Sequence, residues 1–194
     1  MLIEKLRKAT GSLHAKTENL LFANAKSFDM NWYGFFLRAN FHFHQAYEPV
    51  VTNTDFAKQP EWNNFDRNKS DKLYQDLSFL KFLPEKPLVG NYFEGWSEPQ
   101  LLGAAYVSEG SGLGGQVILR NMMKISAFDE KRCGKFIHGH GSLTGVAWKA
   151  FLELLEKEGR HNEHTVVDGA ISAFGFFETI IKSLRKDMYN LADT

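Results

Sequence analysis

The stretch LLGAAYVSEGSGLGGQVILRNMMK, residues Leu101–Lys124, decides how this chain can fold. Apolar residues at helical spacing lead into it and continue after it. Between them lie four glycines, Gly110, Gly112, Gly114 and Gly115. Each glycine inside a helix costs roughly 1 kcal/mol relative to alanine. The pattern therefore predicts a helix whose backbone either bends or is closely approached by a bulky object.

The same residues also match the dinucleotide-binding pattern G-x-G-x-x-G, from Gly110 to Gly115. That pattern has meaning only after a strand, inside a βαβ unit, with an acidic residue about 20 positions further on. Here the preceding LLGAAYVSE favours a helix, and Asp129 comes too early. The chain also has no parallel-sheet rhythm of apolar runs. A helix bent over a flat ligand therefore fits the stretch better.

The composition limits the class of protein. The 194 residues suit one domain, and 23 basic against 23 acidic residues give no reason to expect nucleic acid or an anionic membrane as a partner. Aromatic residues make up 14% of the chain, with 17 Phe, which suggests a wide, apolar, ring-lined interior. The single cysteine, Cys133, excludes an internal disulfide and fits a reducing compartment. Without a signal peptide or a long apolar run, we expect a cytoplasmic protein with no membrane partner.

Hydrophobic periodicity predicts a single all-α domain over residues 1–194. The predicted helices cover Leu2–Ala23, a second segment capped by Asp29 or Asn31 and ending at Val51 near Pro49, Pro60–Leu80, the Leu101–Lys124 stretch, Thr144–Lys157 and His164–Asn190. Residues 81–98 read as a loop that ends in Ser97-Glu98-Pro99, a helix start with proline in the first turn. Ser126–Gly134 reads as a break.

His14 is the strongest candidate ligand in the first helix. It shares a helical face with Arg7, Gly11 and Glu18, and Arg7 lies about 10 Å from it along the axis. That distance matches the separation between the centre of a tetrapyrrole and its side-chain carboxylate. Gly11 would let a flat ring lie close, and a carboxylate such as Glu18 would orient an iron-binding imidazole. The alternative is a surface histidine between Arg and Glu partners.

The other histidines are weaker candidates. His42 and His44 are two residues apart, so a helix directs them to different faces and they fail as a metal pair. His138 and His140 flank a glycine at a loop or helix start, where they could border a pocket. Spacing alone leaves that alternative open.

Four segments resemble the haem oxygenases, and most closely the bacterial, biliverdin-producing branch associated with bacteriophytochromes. They are Leu6–Asn19, Tyr106–Ile118, Phe136–Glu156 and Ala170–Leu184. They occur in the family's order and at its spacing, so the resemblance covers most of the chain. Residues 30–98 match only in their helical, aromatic character.

The resemblance implies an all-helical fold that holds haem between a proximal helix and a glycine-kinked distal helix. By the same resemblance His14 is the axial iron ligand and Glu18 its acidic neighbour. Gly110 and Gly114 are the distal glycines whose backbone lies against the haem. Ser111 stands where animal enzymes carry an aspartate that organises distal waters.

Further residues would seat the haem. The resemblance implies that Arg7 meets one propionate and that Lys149 falls near a second basic propionate-side position. We also expect Gly11 and Tyr106 to line the haem site. Two departures bear on the seating: Glu153 lies where the animal pattern has an arginine, and His140 replaces an aromatic residue.

The implied activity uses haem as both substrate and cofactor. Dioxygen and electrons from a separate reductase or ferredoxin would convert haem to biliverdin, CO and ferrous iron. Backbone contact at the distal glycines would leave room over the iron only for a small, bent diatomic ligand. Two alternatives remain at this point, a non-catalytic haem carrier or sensor on the same fold, and a similar helical protein that binds another small molecule, as the thiamin-related helical enzymes do.

Overall fold

The computed structural model describes residues 1–22, 28–84 and 90–192, with side chains described up to residue 186. Within these residues all regular structure is helical. The helices are α1 (Leu2–Phe22), α2 (Met30–Val51), α3 (Pro60–Asn63), α4 (Lys69–Leu80), α5 (Glu98–Met122), α6 (Glu130–Cys133), α7 (Lys135–His138), α8 (Thr144–Gly159) and α9 (Glu163–Ala192). The predicted all-α class is confirmed. Two details, Ala23 as the end of the first helix and residues 85–89 of the predicted loop, lie outside the described residues.

Capping residues set where the long helices begin. Asp29 is the N-cap of α2, and its side chain accepts a hydrogen bond from the Trp32 backbone N–H at 2.7 Å. Ser97 precedes α5, and the Gln100 side chain accepts from the Ser97 backbone N–H at 2.9 Å. Pro99 lies in the first turn of α5, where its missing N–H has no intrahelical role. Both predicted helix starts are confirmed.

The third predicted helix, over residues 60–80, is wrong as a single element, because the chain forms α3 and then α4. Arg67 turns inward between them, and its Nε donates to the Trp62 carbonyl at 3.1 Å. Asn68 then caps α4 by accepting from the Asp71 backbone N–H at 3.1 Å. The break directs Arg67 into the core. The short helix α6, inside the predicted break before residue 135, is a second correction.

The long helix α5 continues without interruption through the four glycines between Gly110 and Gly115, none of which has a positive φ angle. The glycines therefore leave the α-helical hydrogen bonding of the backbone uninterrupted. Elsewhere α5 depends on glycine for packing. A Cβ on Gly103 would lie 2.0 Å from the Val166 carbonyl oxygen, and one on Gly169 would lie 2.3 Å from the Gln100 carbonyl oxygen. α5 and α9 therefore cross with their backbones in contact.

The helix α9 organises the packing, because both α1 and α5 lie along it. α8 also packs on α5, and α2 packs on α4 and α9. Among the described residues, α1 and α5 make no extensive contact with each other. Each of these two helices therefore keeps one face away from the core.

The aromatic residues fill the core instead of lining a wide interior, which corrects the expectation from composition. Phe43 lies 5.5 Å from Phe93, 5.9 Å from Phe176 and 5.9 Å from Tyr47, measured between ring centroids. Rings at these distances are in direct contact. In the described part of the chain, no helix combines the length and apolar character that crossing a bilayer requires.

Candidate functional site

The exposed face of α1 carries the residues predicted from helical spacing. Arg7, Gly11, His14 and Glu18 all lie on the surface. The His14 side chain is 62% exposed, and its Nδ1 lies 3.7 Å from a Glu18 carboxylate oxygen. Its ring meets the Phe174 ring of α9 edge-on, with 6.2 Å between the centroids. A carboxylate beside Nδ1 leaves Nε2 as the nitrogen suited to bind a metal.

The matching feature on α5 is an exposed face of glycines and apolar side chains. Gly110, Leu113, Gly114 and Val117 follow the i, i+3, i+4, i+7 spacing of one helical face. Leu113 is 43% exposed and Val117 is 49% exposed, although both lie in the middle of a long helix. Large apolar side chains left exposed together mark a site for an apolar ligand or partner. The sequence analysis did not identify these two residues as candidate site residues.

The glycines of this region are of two kinds, those that border open space and those that pack against another helix. A Cβ added to Gly11 or Gly114 would have no described atom within 4 Å outside its own helix. A Cβ on Gly115 would lie 3.0 Å from the Ile137 carbonyl oxygen of α7. Gly115 therefore serves helix packing, whereas Gly11 and Gly114 border free space. Gly11 lies on the exposed face of α1, and Gly114 lies on the exposed face of α5.

The helix α8 flanks the exposed face of α5. Its Trp148 ring lies 5.8 Å from the Tyr106 ring, and Trp148 Cη2 would lie 3.9 Å from a Cβ on Gly110. Lys149 follows Trp148 and is exposed. The structure thus brings Tyr106 and Gly110 together with the start of α8. It separately brings His14 together with Glu18 and Phe174 of α9.

A cavity lies on the other side of α5, towards α4, α7 and α8. It is a small cavity that is partly open to solvent. Its lining includes Ser111, Gly112, Glu109, Lys69, His140 and Trp148. His140 thus borders a pocket, as one interpretation of the sequence allowed. His138 instead places its Nδ1 2.9 Å from the Glu130 carboxylate.

A cluster of buried charges, which sequence reasoning also missed, lies beside the cavity. Glu109 contacts the Arg67 guanidinium, and its Oε1 lies 3.1 Å from Lys69 Nζ. Glu48 lies 3.3 Å from His44 Nδ1 and accepts from the Lys69 backbone N–H at 2.8 Å. The cluster therefore pairs two cations with two carboxylates around one imidazole. The one feature of the sequence that could have indicated this cluster is Glu109, an acidic residue at the end of the apolar run of α5.

Burial and pairing set the ionisation of this cluster. Burial tends to raise the pKa of Glu109, but the Lys69 and Arg67 charges outweigh it and leave that pKa below its usual value. Burial lowers the pKa of His44, against the opposing effect of Glu48. Burial likewise lowers the pKa of Lys69, opposed by Glu109. The carboxylates are therefore ionised at neutral pH, and His44 is neutral.

Comparison with known proteins assigns the family. The sequence model described as "Heme oxygenase" matches residues 1–183. This chain belongs to the haem oxygenase family. A solved structure of the NO- and CO-bound haem oxygenase from Neisseria meningitidis shares the fold, with a TM-score of 0.82 and 23% identity over 95% of this chain and 92% of that one. A search of curated protein sequences finds no significant match.

The residues that α1 and α5 expose have the chemistry that a haem would need. An exposed imidazole lies on α1, and apolar side chains beside uncovered glycines lie on α5. Two exposed cations, Arg7 and Lys149, suit the carboxylates of the ring. A histidine this exposed would argue against a ligand role if side chains filled the space beside the glycines. The open space at Gly11 and Gly114 removes that objection.

Proposed function

We propose that this protein is an active haem oxygenase, which cleaves haem to biliverdin, CO and ferrous iron. It would use dioxygen and electrons from a separate ferredoxin or reductase. The observation that carries the proposal is the exposed histidine of α1, in a member of this family whose α5 leaves glycines and apolar side chains uncovered. We further propose the cytoplasmic, biliverdin-producing type associated with bacteriophytochromes, on the sequence resemblance alone.

The residues of α1 and α8 would hold and orient the haem. His14 would bind the iron through Nε2, and Glu18 would fix the orientation of the imidazole. Arg7 and Lys149 would pair with the two propionates. When bound, haem supplies both the iron that activates dioxygen and the ring that is cleaved. A neutral histidine donates less electron density than a thiolate, which suits oxidation of the ring itself.

The residues of α5 would shape the other side of the site. Without side chains at Gly110 and Gly114, the main chain can approach a flat ring closely and leave space for a small ligand only. Leu113 and Val117 would cover apolar ring surface and exclude water. The Ser111 hydroxyl donates to the Ser108 carbonyl at 2.6 Å, and its oxygen retains lone pairs that can accept a hydrogen bond from water.

Titration with haemin, followed by reduction in air, tests the proposal. We expect a Soret band to form on titration, and then to disappear as biliverdin absorbance grows when ascorbate or a reductase system is added. The pigment should be identified chromatographically. A Soret band that persists under reduction in air would indicate the carrier or sensor alternative. Failure to form a Soret band would count against haem binding and favour the alternative in which the fold binds another small molecule.

A further inference from the structure

One main-chain carbonyl of α5 receives two side-chain hydrogen bonds. Lys69 Nζ donates to the Ser108 carbonyl at 2.6 Å, and Ser111 Oγ donates to the same oxygen at 2.6 Å. In an α-helix this carbonyl pairs with the backbone N–H of residue 112. Side-chain donors that enter the backbone ladder tilt carbonyls outward and bend helices. Here they act at the start of the glycine-rich segment, where α5 resists bending least.

Lys69 is held at both ends of its length. Its backbone N–H donates to Glu48 of α2 at 2.8 Å, and its Nζ lies 3.1 Å from Glu109 of α5. Among the described residues, α4 packs extensively on α2, α6 and α7 but not on α5. The Lys69 side chain therefore spans from the first turn of α4 to the backbone of α5. It connects two helices that otherwise have little contact.

Packing holds only part of this stretch of α5, because Gly115 lies against α7 and Trp148 of α8 lies near Gly110. Ser111 and Gly112 line the cavity instead of meeting a packed core. On the opposite side of the helix Gly114 borders open space. A helix segment that is packed on one side only and contains several glycines depends more strongly on its polar contacts for its position.

We propose that Lys69 is a positioning residue that, together with Ser111, sets where the α5 main chain lies from Gly110 to Gly114. The position of that segment would in turn set how closely the main chain approaches a ligand on the exposed face. This second step rests on the proposed function, whereas the first concerns the protein without ligand.

The first step is tested on the ligand-free protein by amide hydrogen exchange. In Lys69→Met we expect the amides of residues 110–115 to exchange about tenfold faster, with a smaller change in the buried part of α9. Ser108→Ala is the matched control, because it removes a hydroxyl 3.3 Å from Lys69 Nζ and keeps the carbonyl. Exchange in that variant should remain as in the wild type. Equal acceleration throughout the core of Lys69→Met would overturn the proposal.

A charge-balanced variant separates the carbonyl contact from the loss of a buried charge. Lys69→Met leaves Glu109 with Arg67 alone, which can destabilise the whole protein. The double variant Lys69→Met/Glu109→Gln removes one cation and one anion together, so the cluster stays neutral. If the contact with Ser108 matters, residues 110–115 still exchange faster in the double variant. Wild-type exchange there would show that charge imbalance was the cause, and would refute the proposal.

The second step is tested on the haem-loaded protein through the C–O stretching frequency of its ferrous CO complex. We expect Lys69→Met to shift or broaden this band, because the main chain beside the ligand moves, and Ser108→Ala to leave it unchanged. An unshifted band in Lys69→Met would refute the second step. If neither the wild type nor any variant binds haem, the proposed function is wrong. The exchange experiment on the ligand-free protein still decides the first step.

Discussion

The role proposed for His14 depends on exposure rather than on burial. Its side chain is 62% exposed, beside Glu18 on its own helix and Phe174 on α9. A buried histidine would need its ring nitrogens paired within the protein, whereas an exposed one can give a nitrogen to iron. The same exposure means that replacing His14 should change ligand chemistry with little effect on the fold.

We therefore expect His14→Ala to lower haem turnover by at least about 100-fold while weakening haem binding much less. Ring contacts on α5 and the pairing of propionates would still hold the haem in the variant. Single-turnover absorbance measures the activity, and the haemin titration measures the binding. His138→Ala is the control, because that imidazole is also exposed and pairs with Glu130. Equal turnover in His14→Ala and wild type would exclude the axial role.

Asp76 is a second residue whose surroundings have a measurable effect, in this case on its pKa and on the pH dependence of stability. Its carboxylate is buried and accepts from the backbone N–H groups of Lys135 and Phe136, at 3.1 and 2.9 Å. Burial raises its pKa to about 6, against the opposing effect of these hydrogen bonds. The folded state thus binds the proton more tightly than the unfolded chain. The contribution of Asp76 to stability is full below pH 4 and is lost as the pH rises through 6.

This linkage predicts the pH dependence of an Asp76→Asn variant. The free energy of unfolding of the wild type minus that of the variant should decrease between pH 4 and pH 7, by up to about 3 kcal/mol. Urea unfolding at a series of pH values measures the two free energies. Their subtraction cancels the contributions of titratable groups that both proteins share. A difference that stays constant or grows with pH would contradict the raised pKa.

At the scale of the elements, glycines of α5 perform two different tasks. Gly103 lets α5 approach α9, because a Cβ there would lie 2.0 Å from the Val166 carbonyl oxygen. Gly114 borders open space, so a Cβ there would meet no described atom of another element. Replacing each of these glycines with alanine in turn therefore shows which one is needed for helix packing and which one for access of a ligand.

We expect Gly103→Ala to destabilise the protein by about 2–4 kcal/mol, because two backbones must move apart. Gly114→Ala should leave the stability of the ligand-free protein unchanged or raise it by up to about 1 kcal/mol, since alanine favours the helix. The same Gly114→Ala change should weaken haem binding or turnover by about tenfold or more, because the methyl group occupies space needed by the ring. Denaturant unfolding and haemin titration give the two values. Unchanged haem binding and turnover in Gly114→Ala would place the ligand elsewhere.

Helix limits and caps were largely predictable, because they depend on neighbours in sequence. Asp29 and Ser97 begin α2 and α5 as expected from their cap chemistry. The single helix over residues 60–80 failed, because Arg67 turns into the core to meet Glu109. That partner lies 42 residues further along the chain, and no local pattern contains it.

At the scale of the whole molecule, haem would join helices that barely touch each other. α1 and α5 both pack on α9, and neither packs extensively on the other in the described structure. A ligand held by both helices should therefore act as a bridge. Binding that occurs only in the folded state adds to stability, by about 2.7 kcal/mol at a ligand concentration 100 times the dissociation constant.

We expect haemin to slow amide exchange most strongly in α1 and in the glycine-rich part of α5. Exchange in α2 and α4 should change less, because these helices pack on each other and carry none of the residues proposed to hold the haem. Hydrogen exchange with mass spectrometry, with and without haemin, measures this pattern. Uniform protection of every helix would indicate general stabilisation without a bridging ligand.

The sequence by itself determined the helical class, the candidate face of α1 and the resemblance to a family. Arg7, Gly11, His14 and Glu18 share a face because the α-helix repeats every 3.6 residues, a rule that needs no tertiary contact. The distal segment was recognisable for a similar reason, since its glycines are neighbours in sequence.

Only the tertiary structure decided which glycines pack and which border open space, and where the buried charges meet. Gly103 and Gly114 look alike in sequence, but α9 lies against the first, and no described atom of another helix comes within 4 Å of a Cβ on the second. Lys69 and Glu109 come together because α4 and α5 are brought close by their separate packing on other helices. Contacts of this kind depend on how helices dock, and helix docking is a property of the assembled core.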